Sequence, residues 1–132
     1  MYTKSFFITT SKEEEGIDIT NQVIEIVKNS GIRNGLCNIY LRHATASIII
    51  NEGFDPNIMK DILKELNNII PRTGWLHDRI DNNAHAHIKS SIMGSSITIP
   101  IINNELMLGR WQGILLLEFD GPRKREVIVS II

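Results

Sequence analysis

Cysteine is nearly absent. Cys37 stands alone, so no internal disulfide can form and the fold must hold by burial and hydrogen bonding. No charged, then apolar, then small-residue leader opens the chain, and with the lone thiol this points to a reducing, cytoplasmic setting. An excess of one charge is missing too. With 14 Lys+Arg against 15 Asp+Glu the formal net charge is −1, which removes the electrostatic footprint of a general nucleic-acid binder. The uninterrupted apolar runs fall far short of the ~20 residues that cross a bilayer, so no membrane partner is expected. There is no internal repeat, no low-complexity tract and no Gly-rich phosphate loop, and no HExxH-like spacing fixes a set of metal ligands. Ser47 belongs to no nucleophile elbow, which disfavours a hydrolase triad. At 132 residues the chain has the size of one domain, 1–132, able to bury a core unaided. Small molecules and proteins are the partners to look for.

What is present reads as strands joined by tight turns, with helices inserted. Tyr2 to Thr10 is rich in aromatic, β-branched and hydroxyl residues and predicts a strand, followed by a charged turn at Lys12 to Gly16. Thr20 or Asn21 caps a helix with Val23, Ile26, Val27 and Ser30 on one face, and Gly31 ends it. Leu36 to Arg42 predicts a strand that delivers His43 at its end, and Ser47 to Asn51 a further one. Asp55 as cap and Pro56 at the first helical position open a second helix, whose Met59, Ile62, Leu63, Leu66, Ile69 and Ile70 form an apolar stripe before Pro71. Arg72 to Asn83 is a polar loop of about a dozen residues, a length often kept for function. Ala84 to Met93 predicts a helix capped by Asn83 and stopped by Gly94. Strands follow at Ser96 to Ile99, Gly113 to Phe119 and Glu126 to Ile132, with turns at Asn103-Asn104 and Asp120-Gly121-Pro122. The sum is an α+β protein, a largely antiparallel, sandwich-like sheet core with two or three helices.

Chemistry concentrates between Trp75 and His87, which hold three of the four histidines together with Asp78 and Asp81. Imidazole is the common proton carrier near neutral pH and a ligand for borderline divalent metals. On a helix, residues i and i+2 point about 200° apart, so His85 and His87 cannot serve one ion together. His43, His77 and one of that pair could close one face of a divalent ion, leaving positions for water or substrate. The plainer alternative makes His43 a hydrogen-bonded core residue and the others solvated loop residues. Glu52, Asp55, Asp61, Asp78 and Asp81 are candidate bases or supports for metal ligands, although Asp55 is better explained as a cap. Arg110 beside Trp111 is the better phosphate anchor. The Arg123-Lys124-Arg125 triplet reads equally as a phosphate site or as a solvated strand edge that discourages aggregation. Cys37, in mid-strand, reads as a buried inert thiol.

The order of these features resembles a known family. His43-Ala44-Thr45-Ala46-Ser47, Asn51-Glu52-Gly53-Phe54-Asp55-Pro56, His77-Asp78, Ala86-His87-Ile88-Lys89-Ser90-Ser91, Gly94-Ser95-Ser96 and Leu108-Gly109-Arg110-Trp111-Gln112-Gly113-Ile114 are similar to the YjbQ (UPF0047) pattern nearly end to end. The resemblance implies a small α+β domain, a homotrimer, and a metal or anion site at His43, His77 and His87, with Glu52, Asp61 and Asp78 as acidic neighbours and His85 as the spare. It also implies a secondary thiamine-phosphate synthase activity, joining a pyrimidine diphosphate to a thiazole phosphate with loss of pyrophosphate. On that reading His43, His77 and His87 hold a divalent ion, zinc or magnesium, Glu52 or Asp78 handles protons, and Arg110 holds the phosphate of a small phosphorylated metabolite. Sites near or between subunits are expected. The other function class is a binding or regulatory protein that captures a phosphorylated metabolite or anion without turnover. Two departures stand out: Ala44 replaces the family's usual Thr or Ser, and Arg110 replaces the Thr of Gly-Thr-Trp-Gln.

Overall fold

A computed structural model describes residues 1–132. Two antiparallel sheets form the frame. The larger has the order β1-β8-β3-β5-β6 and the smaller β2-β7-β4, with β1 Tyr2–Thr9, β2 Glu15–Asp18, β3 Gly35–Leu41, β4 Ala46–Glu52, β5 Ser96–Ile102, β6 Glu105–Leu106, β7 Gln112–Glu118 and β8 Lys124–Ile131. Helix α1 (Thr20–Ser30) closes the space between the sheets, while α2 (Asn57–Ile69) and α3 (Ala84–Met93) cover the far face of the smaller one. The fold is α+β, as the sequence pattern implies. No helix is long and apolar enough to cross a membrane.

The period of two along each strand decides which side chains meet. Cys37, Ile39 and Leu41 of β3, Ile99 and Ile101 of β5, and Val127, Val129 and Ile131 of β8 face Val23 and Val27 of α1 in one core. Strand β7 is apolar on both faces because it is covered on both. Its Ile114 and Leu116 enter that core, while Leu117 meets Leu63, Leu66, Ile70 and Ala86 in a second core under α2 and α3. Ile69, counted on the α2 stripe, is 61% exposed, because each helical residue turns by about 100° and carries Ile69 off the edge that Leu63, Leu66 and Ile70 bury.

Several boundaries differ from the sequence reading. The last two residues of the presumed charged turn, Glu15 and Gly16, already belong to β2, which pairs with β7 from Glu15 opposite Glu118 to Asp18 opposite Leu115. Helix α1 is capped neither by Thr20 nor by Asn21; Asp18 Oδ1 accepts the Thr20 N–H instead. Helix α2 begins at Asn57, one residue later than expected, so Pro56 takes the cap position, while Asp55 Oδ1 accepts the Asn57 N–H from just ahead of it. Asn103 and Asn104 have φ of 54° and 64°, the paired left-handed conformation of a tight hairpin turn, here joining β5 to β6.

The path of α2 matters most for function. Strand β4 leaves one end of the small sheet at Ala46 and reaches the other at Glu52, and the thirteen residues of α2 carry the chain back. Loop 72–83 and α3 therefore lie at the Ala46 end.

Candidate functional site

At that end sit all three histidines of the expected set. His77 belongs to a 3₁₀ turn, Leu76–Arg79, inside the long loop, and its ring meets that of His87 on α3 edge to face, centroids 4.9 Å apart at 84°. His77 Nε2 is inaccessible and has no hydrogen-bond partner, with Asp81 Oδ2 at 3.5 Å. Helix α3 is pinned to the sheet by hydroxyls: Ser90 Oγ donates to the Ala46 carbonyl at 2.8 Å and Ser47 Oγ to the Ser90 carbonyl. That clamp explains the small residues on the helix and gives Ser47 a structural task.

His43 shares this end but not this pair. Its Nε2 accepts the backbone N–H of Glu126 at 2.8 Å, which requires a lone pair there and puts the ring proton on Nδ1. Burial and then the nearby Arg125 charge hold its pKa below the ordinary histidine value, consistent with a neutral ring. A neutral imidazole with Nε2 so committed offers a donor and no free lone pair for an ion. No three His, Cys, Asp or Glu side chains gather closely enough to hold a metal. The residues of one chain therefore fit a metal only in part: His77 and His87 offer two nitrogen donors, which suit zinc better than magnesium, and the third ligand is not among them.

Asp78 is committed as well. Its Oδ2 accepts the Trp75 N–H at 3.1 Å and its Oδ1 the Ala84 N–H at 3.3 Å. It thus ties the 3₁₀ turn to the start of α3 and does the capping expected of Asn83. The Asn83 side chain donates instead to Asp120 Oδ2 at 2.8 Å. Although burial pushes Asp120 up, its hydrogen bonds from Asn83 and Arg123 prevail and its pKa is lowered.

Two buried charge clusters support this end. Arg125 and Glu118 are 2% and 0% exposed and form a two-point ion pair through Arg125 Nε and Nη2. Arg125 also donates to Thr45 Oγ1 at 2.9 Å, and Thr10 Oγ1 donates to Glu118. The basic triplet is thus neither a phosphate site nor a bare strand edge. Arg125 points inward, Arg123 pairs with Asp120 at 3.0 Å, and Lys124 lies over the Phe7 ring. The second cluster centres on Lys89, 0% exposed, whose Nζ donates to Glu14 Oε2 at 2.9 Å, Asn67 Oδ1 at 2.6 Å and His85 Nδ1 at 3.3 Å. Burial and then Lys89 lower the His85 pKa, so the spare histidine is a neutral structural acceptor. Both clusters were missed from sequence, yet Arg125 alternates in phase with Val127, Val129 and Ile131, and Lys89 lies four residues after His85 on one helical face.

Glu52 and Arg110 are at the opposite end. Glu52 pairs with Gln112 where Ala46 pairs with Glu118, and six residues of strand separate the two ends by about 20 Å. The Glu52 carboxylate is half-buried and enters no ion pair, while Asp61 is exposed on the second turn of α2. The Arg110 guanidinium lies 5.1 Å over the Trp111 ring, and Trp111 meets Phe54 edge to face at 5.1 Å. Beside them opens a cleft of about 660 Å³.

The sequence model described as UPF0047 protein YjbQ-like matches residues 4–132. The chain belongs to the YjbQ (UPF0047) family. It is 46% identical over 125 residues to the UPF0047 protein MJ1081 of Methanocaldococcus jannaschii, covering 95% of this chain and 90% of the relative. To YugU of Bacillus subtilis it is 41% identical, covering 97% of each chain. Among solved structures, the hypothetical protein APE1520 of Aeropyrum pernix superposes with a TM-score of 0.96 at 38% identity over 100% of this chain and 98% of the other. A YjbQ/UPF0047 protein of Clostridium acetobutylicum does so with 0.93 at 46% identity over 98% and 99%. The YjbQ frame thus carries two sets of candidate groups, histidines at one end and Arg110 with Glu52 at the other.

Proposed function

We propose that this YjbQ protein is a small cytoplasmic enzyme of the thiamine-phosphate synthase type, working as a homotrimer whose site is completed by two subunits. The observation that carries this reading is the separation of about 20 Å between the histidine end and the Arg110 end. Groups so placed act on one small substrate only if the end of one subunit meets the opposite end of the next, the heterologous contact that closes a ring. Both ends carry exposed apolar side chains suited to such a contact, Leu76 and Ile80 at 80% and 79% on the histidine loop, Phe54 and Trp111 at 67% and 54% beside Arg110. Such apolar surface is what association would remove from water.

In this site Arg110, pre-oriented on Trp111, takes the phosphate in a planar fork. His43 presents its Nδ1–H as a neutral donor toward departing pyrophosphate oxygens. Glu52, with no ion-pair partner, is the carboxylate left to handle protons or offset developing positive charge, since Asp78 is occupied by backbone. His77 and His87, with a donor from the adjoining subunit, would hold a zinc-like ion, which when bound supplies charge to stabilise the leaving group.

The test uses purified, untagged protein supplied with the pyrimidine diphosphate and the thiazole phosphate. Thiamine phosphate forms, His87→Ala and Arg110→Ala each abolish it, and oligomers re-formed from an equal mixture of the two regain about a quarter of wild-type turnover, the share of interfaces with both intact ends. No recovery sinks the shared site. The second reading, capture of a phosphorylated metabolite or anion without turnover, is favoured by the hydrogen-bonded state of Asp78 and His43. It prevails if the substrates bind and no product appears.

A further inference from the structure

The cleft beside Arg110 follows one face of α1. Ile24 of the helix forms one wall, and Leu106 and Leu108 the other. The floor lies where the end of β4 is paired with the start of β7, and Gly53 and Gly113 come together. A Cβ on Gly113 would stand 3.0 Å from the Gly53 Cα and 3.3 Å from Asp18 Oδ2, and one on Gly53 would stand 3.0 Å from that same oxygen. The lack of a side chain at both positions lets the two strand ends and Asp18 approach this closely. From Thr20 to Lys28 the lined face of α1 is about 12 Å long. Arg110 and Asp18 stand at one end of this length and Lys28 and Glu105 at the other.

None of those four charged side chains is within ion-pair distance of a partner, whereas the five Lys and Arg ion pairs of the molecule are all formed elsewhere. The guanidinium at the mouth is held from behind by the Phe54, Trp111 and Arg110 stack, leaving its edge free. A stacked guanidinium with a free edge recognises a planar or tetrahedral oxyanion through two N–H groups. The apolar side chains of Ile24, Leu106 and Leu108 along the otherwise polar trough accept the carbon body attached to that anion.

We propose that this cleft is the binding site for an organic phosphate ester with an apolar or aromatic body, its phosphate on Arg110 and its body along Ile24, Leu106 and Leu108. This rests on the role of Arg110 in the preceding section and adds where the rest of the ligand lies. It makes the cleft a selector of esters over the free anion.

The experiment is a titration of the assembled, isotope-labelled protein, followed by amide NMR, with phenyl phosphate, benzoate and inorganic phosphate as probes. Phenyl phosphate shifts the amides of Ile24, Leu106, Leu108 and Arg110 and binds about tenfold more tightly than inorganic phosphate, the gain expected from covering a phenyl face. Ile24→Trp, or Leu108→Trp from the opposite wall, removes the preference for phenyl phosphate and leaves inorganic phosphate binding unchanged. Arg110→Ala weakens both. Equal affinity for phenyl phosphate and inorganic phosphate, shifts confined to His77 and His87, or an equal response to benzoate overturns the inference. Because binding is read without turnover, a failure of catalysis leaves it standing, and a failure here leaves the two-subunit enzyme to be judged by its own mixing test.

Discussion

At the scale of single residues, the neutral state of two histidines is set by what points at them. His43 accepts a backbone N–H and His85 accepts the Lys89 ammonium, so each needs a lone pair on the nitrogen facing its partner. We expect imidazole ¹⁵N spectra at neutral pH to show His43 as the Nδ1–H tautomer and His85 as Nε2–H; a protonated Nε2 on His43 would refute the first. Both folded pKa values are lowered from 6.5. Below 6.5 the unfolded chain therefore binds protons that the native state refuses, and stability falls as the pH drops toward the depressed native values. Melting temperatures between pH 7.5 and 5 will decline, and His85→Gln, which keeps an acceptor for Lys89, will flatten part of that decline. The buried ion pair is more demanding. Arg125→Met leaves the Glu118 carboxylate buried and unpaired, at a cost of about 3–5 kcal/mol, whereas removing both charges restores most of the loss. Urea denaturation of the single and double variants measures this.

At the scale of elements, the histidine loop owes its order to one carboxylate. Asp78 joins Trp75 to Ala84 across the 3₁₀ turn, and Trp75 Nε1 donates to the Pro71 carbonyl at 2.7 Å, so the loop is tied at both ends. Asp78→Ala should cost about 1 kcal/mol, typical of a lost cap. It should also speed hydrogen exchange at Ala84 and Trp75 while leaving β7 protected. Uniform acceleration over the whole chain would contradict a local role. Asp78→Asn retains one acceptor and is expected to keep the loop partly ordered, which separates this positioning role from proton transfer.

At the scale of the whole molecule, the two ends matter together. A trimer would scatter as three times the 15.0 kDa chain at all working concentrations, and a single-chain mass throughout would end the two-subunit reading. Ile80→Asp, at a side chain 79% exposed with no packing to lose, is expected to lower the oligomer mass and to reduce turnover by tenfold or more, with the melting curve of the separated chain intact. Loss of turnover with the oligomer unchanged would instead place Ile80 at the chemistry.

The fold class was legible in the sequence because its signals are local. The continuous apolar run of Gly113 to Phe119, the apolar stripe of α2, and the paired asparagines at 103 and 104 each specify an element from a few neighbouring residues. The order of motifs was enough to indicate the YjbQ family. Which polar groups remain free was decided only by tertiary structure, because a hydrogen bond between Asp78 and Ala84, or between His43 and Glu126, depends on segments brought together by folding. The same holds for the candidate site. Sequence brought His43, His77, His87, Glu52 and Arg110 into one list, but β4 runs seven residues in one direction and α2 is a return path of matching length. Those two elements, with the antiparallel pairing that sets Gln112 of β7 opposite Glu52, put Arg110 and Glu52 at one end of the molecule and the histidines at the other.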